Sequence, residues 1–334
     1  MGSAVCAGLE VPRTAQAWAP SFTSACSAQP PIALFLPVSA RLVHHHCMAT
    51  SPAAPPALVD GRLVPAAEAR ISLADPAFTH GDGLFETIRL LARRPVGIDA
   101  HLARLCGSAE ALRIPCPSPA AWRGLVTRLL AAAPELPEAA LRLQLCAPRP
   151  DAPESLGTTA LTLRPLGARE AVRRAGLALW TVPWARAPRG GLGGHKLVAW
   201  AATPIAARTH PNGRDADFEA VFTDGEALLE GGTTSLALLI GDRLQLPPLD
   251  GRLLASVTRA RLVDGLAGRL GLSVTVSPVT REAALAADAV LALSALLPAT
   301  PATSLDGSPL RLTQLGADTL AVIREALSEP PSAG

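Results

Sequence analysis

From Ala57 onward, apolar residues either alternate with polar ones over short runs or recur at helical spacing, with turn residues between the runs. The stretch Ala57-Leu58-Val59-Asp60-Gly61-Arg62-Leu63-Val64 reads as two strands around an Asp-Gly turn. After Ile71-Ser72-Leu73 and a loop comes Gly81-Asp82-Gly83, where two glycines let the backbone turn tightly into a strand over 84–90. A second hairpin is expected over 91–98. A helix is expected from Asp99 as N-cap, because Leu102, Leu105, Ala109 and Leu112 form one apolar stripe. Ser118 and Pro119 open another helix that runs to about residue 133. Strands follow over 140–146, 158–165 and 177–182.

Residues 183–194 hold two prolines and four glycines and read as the linker between two halves. A helix is expected over 197–208, then strands over 219–222 and 227–229, the polar turn 230–235 and a strand pair around Gly241-Asp242. The remaining elements are a helix over 256–268, a strand over 273–279, a short helix over 281–287, a strand over 289–293, the loop 294–298 and a closing helix over 313–328. Strands and helices mix without a steady βαβ period, so the class is α+β.

Composition changes this picture mainly at the N-terminus. Residues 1–50 are rich in Ser, Ala and Pro, with Glu10 the only acid, and resemble an organelle transit segment. The expected organisation is therefore a transit segment and linker over 1–55, an N-terminal α+β domain over 56–182, the linker 183–194 and a C-terminal domain over 195–334. The address is a chloroplast, with the mitochondrion as alternative. A net charge of +2 with 17% charged residues gives no electrostatic case for nucleic acid or an anionic membrane. No apolar run reaches the length of a membrane span. The cysteines, Cys6, Cys26, Cys47, Cys106, Cys116 and Cys146, include no CxxC pair, so free thiols and no metal site are expected.

Lys196 is the only lysine, while all other basic residues are arginine. Arginine cannot lose its proton at working pH, whereas a buried lysine can and then serves as a nucleophile toward an aldehyde. The ordinary alternative is a chance survivor of an arginine-favouring composition. Three further features bear on the choice. Glu230 lies in a Gly/Thr/Ser turn, Ser256-Val257-Thr258-Arg259 opens a helix whose free N–H groups suit a phosphate, and Arg104 sits on a helix as a second phosphate clamp. A lysine, an acid for a ring nitrogen and a phosphate cup are what pyridoxal 5'-phosphate needs.

Order and spacing then carry a resemblance. Gly81-Asp82-Gly83-Leu84-Phe85-Glu86-Thr87, His101-Leu102-Ala103-Arg104-Leu105, His195-Lys196, Asp224-Gly225 with Glu230-Gly231, Val257-Thr258-Arg259 and Pro301 ahead of Asp306-Gly307 resemble the class IV (fold type IV) pyridoxal-phosphate enzymes. These include branched-chain and D-amino-acid aminotransferases and aminodeoxychorismate lyases. The resemblance implies a two-domain fold with a small N-terminal α+β domain and a larger barrel-like C-terminal α/β domain, in a homodimer. It also implies that Lys196 joins the cofactor aldehyde and shuttles the proton. Glu230 would hold the pyridine nitrogen protonated. Arg104, Val257 and Thr258 would hold the phosphate, with Ser294 and Ala295 lining the site. Arg142 and Arg149 are candidates for gripping the carboxylate of a small amino-acid-like substrate, though each reads equally as a solvated arginine.

The chain departs from the family pattern at Ser235-Leu236-Ala237, at Ala255-Ser256 and at Ala201, where branched-chain aminotransferases place a tyrosine. The loop Ser294-Ala295-Leu296-Leu297-Pro298-Ala299-Thr300-Pro301 is similar to the loop of the lyases, with Ser294 for their Asn. The resemblance therefore implies a 4-amino-4-deoxychorismate lyase giving 4-aminobenzoate and pyruvate, with a D-amino-acid or branched-chain aminotransferase as alternative. A cofactor-binding homologue without turnover is the third reading.

Overall fold

The structure, a computed structural model, describes residues 54–210 and 218–328. All but the last two residues of the expected leader lie outside the described residues. Asp60 and Gly61 both take positive φ and turn β1 (Ala57–Val59) back onto β2 (Arg62–Val64). After a short helix α1 (Pro76–Thr79), β3 (Gly83–Leu91) pairs with β4 (Arg94–Pro95). Two helices, α2 (Ile98–Ala111) and α3 (Pro119–Ala132), precede β5 (Glu138–Cys146) and β6 (Thr159–Pro165). The six strands form an antiparallel sheet ordered β2-β1-β6-β5-β3-β4.

Period-two alternation puts Leu84, Ile88 and Leu90 on one face of β3, where they pack with Leu102, Leu105, Trp122 and Leu129 of the helices. Phe85 and Thr87 point to the other face, opposite Gln144 and Arg142 of β5. Helix α2 begins earlier than the sequence suggests. Gly97, at φ 66, is its N-cap, and Asp99 lies in the first turn instead. Ser118 caps α3 as expected, accepting from the Ala121 amide.

The chain then passes through α4 (Ala168–Ala175) into β7 (Leu177–Val182), which already belongs to the second sheet. The crossing between sheets thus lies ahead of residues 183–194. Next come α5 (Ala202–Thr209), β8 (Phe218–Thr223), β9 (Ala227–Gly231), β10 (Ser235–Ile240) and β11 (Arg243–Leu246). Helix α6 (Val257–Arg261) continues through a π-helical turn, Leu262–Leu266, into α7 (Ala267–Arg269). The remaining elements are β12 (Ser273–Val276), β13 (Val279–Thr280), α8 (Arg281–Ala286), β14 (Ala289–Leu293), β15 (Thr300–Leu305), β16 (Ser308–Pro309) and α9 (Gln314–Ser328).

The ten strands make a mixed sheet, parallel at β7–β8, β7–β15 and β11–β12. Six of them close a barrel, β10-β14-β15-β7-β8-β9, because β9 pairs back onto β10 through Ser235 and Glu230. Leu236 and Leu238 of β10 join one core cluster with Leu179, Val221 and Val290. Ala237 and Leu239 join another with Leu262, Leu266, Leu320 and Ile323. Adjacent residues of one strand thus serve two cores, as the strand period requires. The α+β class and the barrel-like second half hold. Among the described residues no helix is long and apolar enough to cross a membrane.

Candidate active site

The lysine segment is placed by glycine. Lys196 O accepts from the Phe85 amide at 2.9 Å, and the Val198 amide donates to Gly83 O at 2.8 Å. Leu197 bridges Leu84, so residues 196–198 lie against β3 as an extra short strand. A Cβ on Gly83 would come within 2.7 Å of Leu145 O. One on Gly81, at φ +69, would come within 2.8 Å of Ala199 Cβ. The Gly-Asp-Gly motif therefore makes room for the lysine segment. This corrects the helix expected over 197–208: hydrogen bonding to β3 holds 196–198 extended, and α5 starts only at Ala202.

The Lys196 ammonium lies 4.5 Å from the Phe85 ring centroid and 4.8 Å from that of Trp200. The two rings meet edge to face at 5.6 Å. Burial pushes the ammonium pKa down to about 8; Glu86 and Glu230 pull it back up, while Arg104 and Arg186 push it further down. A substantial neutral fraction near pH 8 makes Nζ a usable base and nucleophile.

Glu230 lies on β9 rather than in a turn, at the register where the barrel closes. Burial raises its pKa, and Arg186 counters that rise. Its Oε1 accepts from Arg186 Nε at 2.6 Å and its Oε2 from the Leu254 amide at 2.9 Å. Arg186 also donates to Gly193 O at 2.8 Å and lies 4.5 Å over the Trp200 ring. It belongs to the 183–194 segment, which composition marks only as a linker.

On the opposite wall, Arg104 of α2 donates to both oxygens of Glu86, at 2.7 and 2.6 Å, and to Ala255 O at 2.8 Å. Glu86 is fully buried and also bonds His101 Nδ1 at 2.7 Å. Burial alone would raise its pKa. The bonds from His101 and Arg104 outweigh that and hold it down to about 2. These three contacts use three of the five guanidinium N–H donors of Arg104, leaving two for an anion. Beside it, Ser256 caps α6, and the amides of Val257 and Thr258 are the first two of the helix, with no intrahelical acceptor. The donor set suits a phosphate.

Of these, Phe85, His101, Arg104, Lys196, Trp200, Glu230, Ser256, Val257 and Thr258 line one cavity of about 710 Å³, and Glu86 and Arg186 bond to them without lining it. Of the residues singled out from the sequence, Arg104, Arg142, Lys196, Glu230, Val257, Thr258, Ser294 and Ala295 all face it. Arg142 lies 3.9 Å over the Phe85 ring, and its one hydrogen bond among the described residues is a long one to Gln144. Arg149 does not reach the cavity. It stands exposed just beyond β5, paired with Asp151, because the chain leaves the sheet at Cys146. Sequence reasoning missed Glu86 and His101 as members of the site, although both stand in the motifs it quoted. It also missed Arg186, Trp200, Arg173 and Glu219, which carry no local signal.

The aminotransferase class IV family model matches residues 83–305, a span that contains all these cavity residues. No curated protein matches the chain. Among solved structures, a hypothetical aminotransferase from Mycobacterium tuberculosis, bound to α-ketoglutarate and PMP, is 24% identical with a TM-score of 0.72 over 81% of this chain and 98% of its own. A branched-chain aminotransferase from Thermoproteus uzoniensis with norvaline is 22% identical with a TM-score of 0.71, covering 82% of this chain and 95% of its own. The branched-chain aminotransferase of Escherichia coli is 20% identical with a TM-score of 0.69, covering 84% and 98%. A matched span that holds the lysine, the glutamate and the anion cup, on a fold shared with these structures, identifies the chain as an enzyme of the class IV aminotransferase family.

Proposed function

We propose that this chain binds pyridoxal 5'-phosphate and uses it as a lyase, converting 4-amino-4-deoxychorismate to 4-aminobenzoate and pyruvate. Arg104 with the amides of Val257 and Thr258 holds the phosphate. Glu230 would meet the pyridine nitrogen, and its raised pKa would suit sharing a proton there. When bound, the cofactor supplies an electron sink for the pair left when a bond at the substrate Cα breaks. Lys196 Nζ, neutral for part of the time near pH 8, takes up the Cα proton and returns it. Phe85 and Trp200 flank Nζ with apolar surface and keep water from it.

The observation that carries the lyase reading is the charge of the cavity wall. Arg104, Arg142, Arg164, Arg169, Arg173 and Lys196 line it, against Glu170, Glu219 and Glu230. The substrate has two carboxylates, and a wall with more arginine than acid suits a dianion. Arg142, which meets no carboxylate among the described residues, is the grip for one of them. The lyase-like sequence of the 294–301 loop, which borders the same cavity, points the same way.

A second reading, an aminotransferase, is favoured by the similar solved structures, which include branched-chain aminotransferases. One pair of assays separates the two. Lyase activity gives pyruvate and 4-aminobenzoate from aminodeoxychorismate with no keto acid added. An aminotransferase gives turnover of leucine or D-alanine only with a keto acid. The protein is expected to be yellow with added cofactor, and to lose that absorbance in Lys196→Ala. A colourless wild-type protein would sink the cofactor assignment. A chloroplast address for residues 1–55 and a homodimer complete the proposal, checked by a fluorescent fusion of the leader and by sedimentation.

A further inference from the structure

Helix α4 has no buried residue, so apolar packing does not explain why it is held in place. Its contacts are polar and reach in two directions. Arg173 Nη2 meets Glu219 Oε2 at 2.7 Å. Glu219 is buried, and its Oε1 accepts from the Thr233 amide at 2.6 Å, from Thr233 Oγ1 at 3.0 Å and from Thr234 Oγ1 at 3.2 Å. That carboxylate therefore shapes the 231–235 turn, the stretch that directly follows Glu230. It lies so close that a Cβ on Gly231 would meet Glu219 Oε1 at 2.7 Å.

The next residue, Arg174, reaches the loop that follows β14, the strand beside β10. Its Nε donates to Leu296 O at 3.0 Å, inside the 294–298 loop. Its two terminal nitrogens pair with Glu138 of β5, at 2.9 and 2.6 Å. The Arg174 carbonyl in turn accepts from Arg324 Nη2 of α9 at 3.3 Å, and Arg324 Nε donates to Ala299 O at 2.8 Å. The 294–299 stretch is thus held from both sides, while Glu138 anchors the assembly to the first sheet.

We infer that α4 is a clasp: Arg173, through Glu219, and Arg174, through the Leu296 carbonyl, fix the 231–235 turn and the 294–298 loop relative to each other and so set the width of the cavity between them. Both arginines are positioning residues. Neighbouring side chains on a helix point about 100° apart, so one short helix can hold both the turn that leads into β10 and the loop that leaves β14, which start where Ser235 pairs with Leu293. A clasp differs from two local props in one respect. Because the helix buries no side chain, polar contacts carry its placement; Glu170 also pairs with Arg164 and Arg173 also reaches Phe218 O, and losing either arginine loosens the helix against both walls.

The test uses the full-length protein with Arg173→Met, Arg174→Met, Glu219→Gln and the double arginine variant. Amide hydrogen exchange is followed in peptides covering 231–235 and 294–298 without cofactor, and pyridoxal 5'-phosphate affinity is titrated by visible absorbance. Each single variant is expected to speed exchange about tenfold in both peptides and to weaken cofactor binding by a similar factor. The double variant should be little worse than either single one, as for residues acting as a unit. Faster exchange confined to the variant's own wall, or unchanged exchange with affinity within about twofold of wild type, overturns the clasp. Arg174→Lys keeps the charge but loses the planar fork. It faces the same criterion if a methionine variant does not fold. The exchange result stands even if the wild-type protein takes up no cofactor.

Discussion

Lys196 and Glu86 are both buried, and each is shifted by the cost of burial set against its neighbours. For Lys196 burial prevails, and the pKa falls from 10.5 to about 8. The folded protein then binds fewer protons than the unfolded chain between those values, so stability rises with pH there. A shift of that size corresponds to roughly 3 kcal/mol of strain on the charged form. Lys196→Met is therefore expected to stabilise the cofactor-free protein at pH 7 by about 1–3 kcal/mol, a gain that fades as the pH approaches 10.5, measured by urea unfolding. Glu86 has the opposite sign. Its pKa is held down from 4.5 to about 2, so its contribution is complete above pH 4.5 and is lost as the pH falls through 2. Glu86→Gln should cost stability at pH 7 and flatten the acid limb of the unfolding profile. An unchanged acid limb would show that His101 and Arg104 do not hold the carboxylate ionised. The lysine was legible in the sequence because it is alone in its residue type. Glu86 was quoted as part of a motif but given no role, since its partners lie a helix away and only the folded geometry brings them together.

At the scale of elements, the close approach of 196–199 to β3 makes two glycines behave differently from a third. Gly81→Ala and Gly83→Ala should each destabilise by about 1–3 kcal/mol, through overpacking and, at Gly81, a positive φ. Gly124, exposed inside α3 with nothing near its absent Cβ, should gain about 0.5–1 kcal/mol from the same change. Thermal unfolding of the three variants checks the contrast. Pattern reading succeeded where apolar spacing or turn chemistry is strong, as at β1–β2, α3 and the β10–β11 pair. It placed a helix at 197 because Leu197, Val198, Ala199 and Trp200 are compatible with one, and nothing local shows that β3 takes their backbone groups. It missed α4 although Ala168, Ala171, Val172 and Ala175 recur at helical spacing, because that stripe spans two turns and is mostly alanine.

For the molecule as a whole, the cavity takes its walls from both sheets, and Glu230 stands where the barrel closes. Binding there should stabilise the entire unit. Cofactor at a hundredfold excess over its Kd adds about 2.7 kcal/mol and should raise the melting temperature by about 5 °C. In Lys196→Ala that increment should shrink, and its persistence would argue that the lysine is no part of the cofactor's hold. The α+β mix was legible from the run of elements, and β7 joins the second sheet ahead of the proline- and glycine-rich stretch. A stretch rich in proline and glycine signals irregular backbone, and such a stretch can bend over a site as readily as it can join two domains. Through Arg186, this one reaches Glu230 and Trp200.

The solitary lysine, with its carbonyl bonded to Phe85 and the next residue bridged to Leu84, has a practical consequence. A protease that cuts only after lysine has one site in the entire chain, and in the native protein that bond is locked against β3. Cleavage into two fragments, at 1–196 and 197–334, would then count openings of the lysine segment one molecule at a time, and its rate would read the stability of that segment apart from that of the rest of the fold.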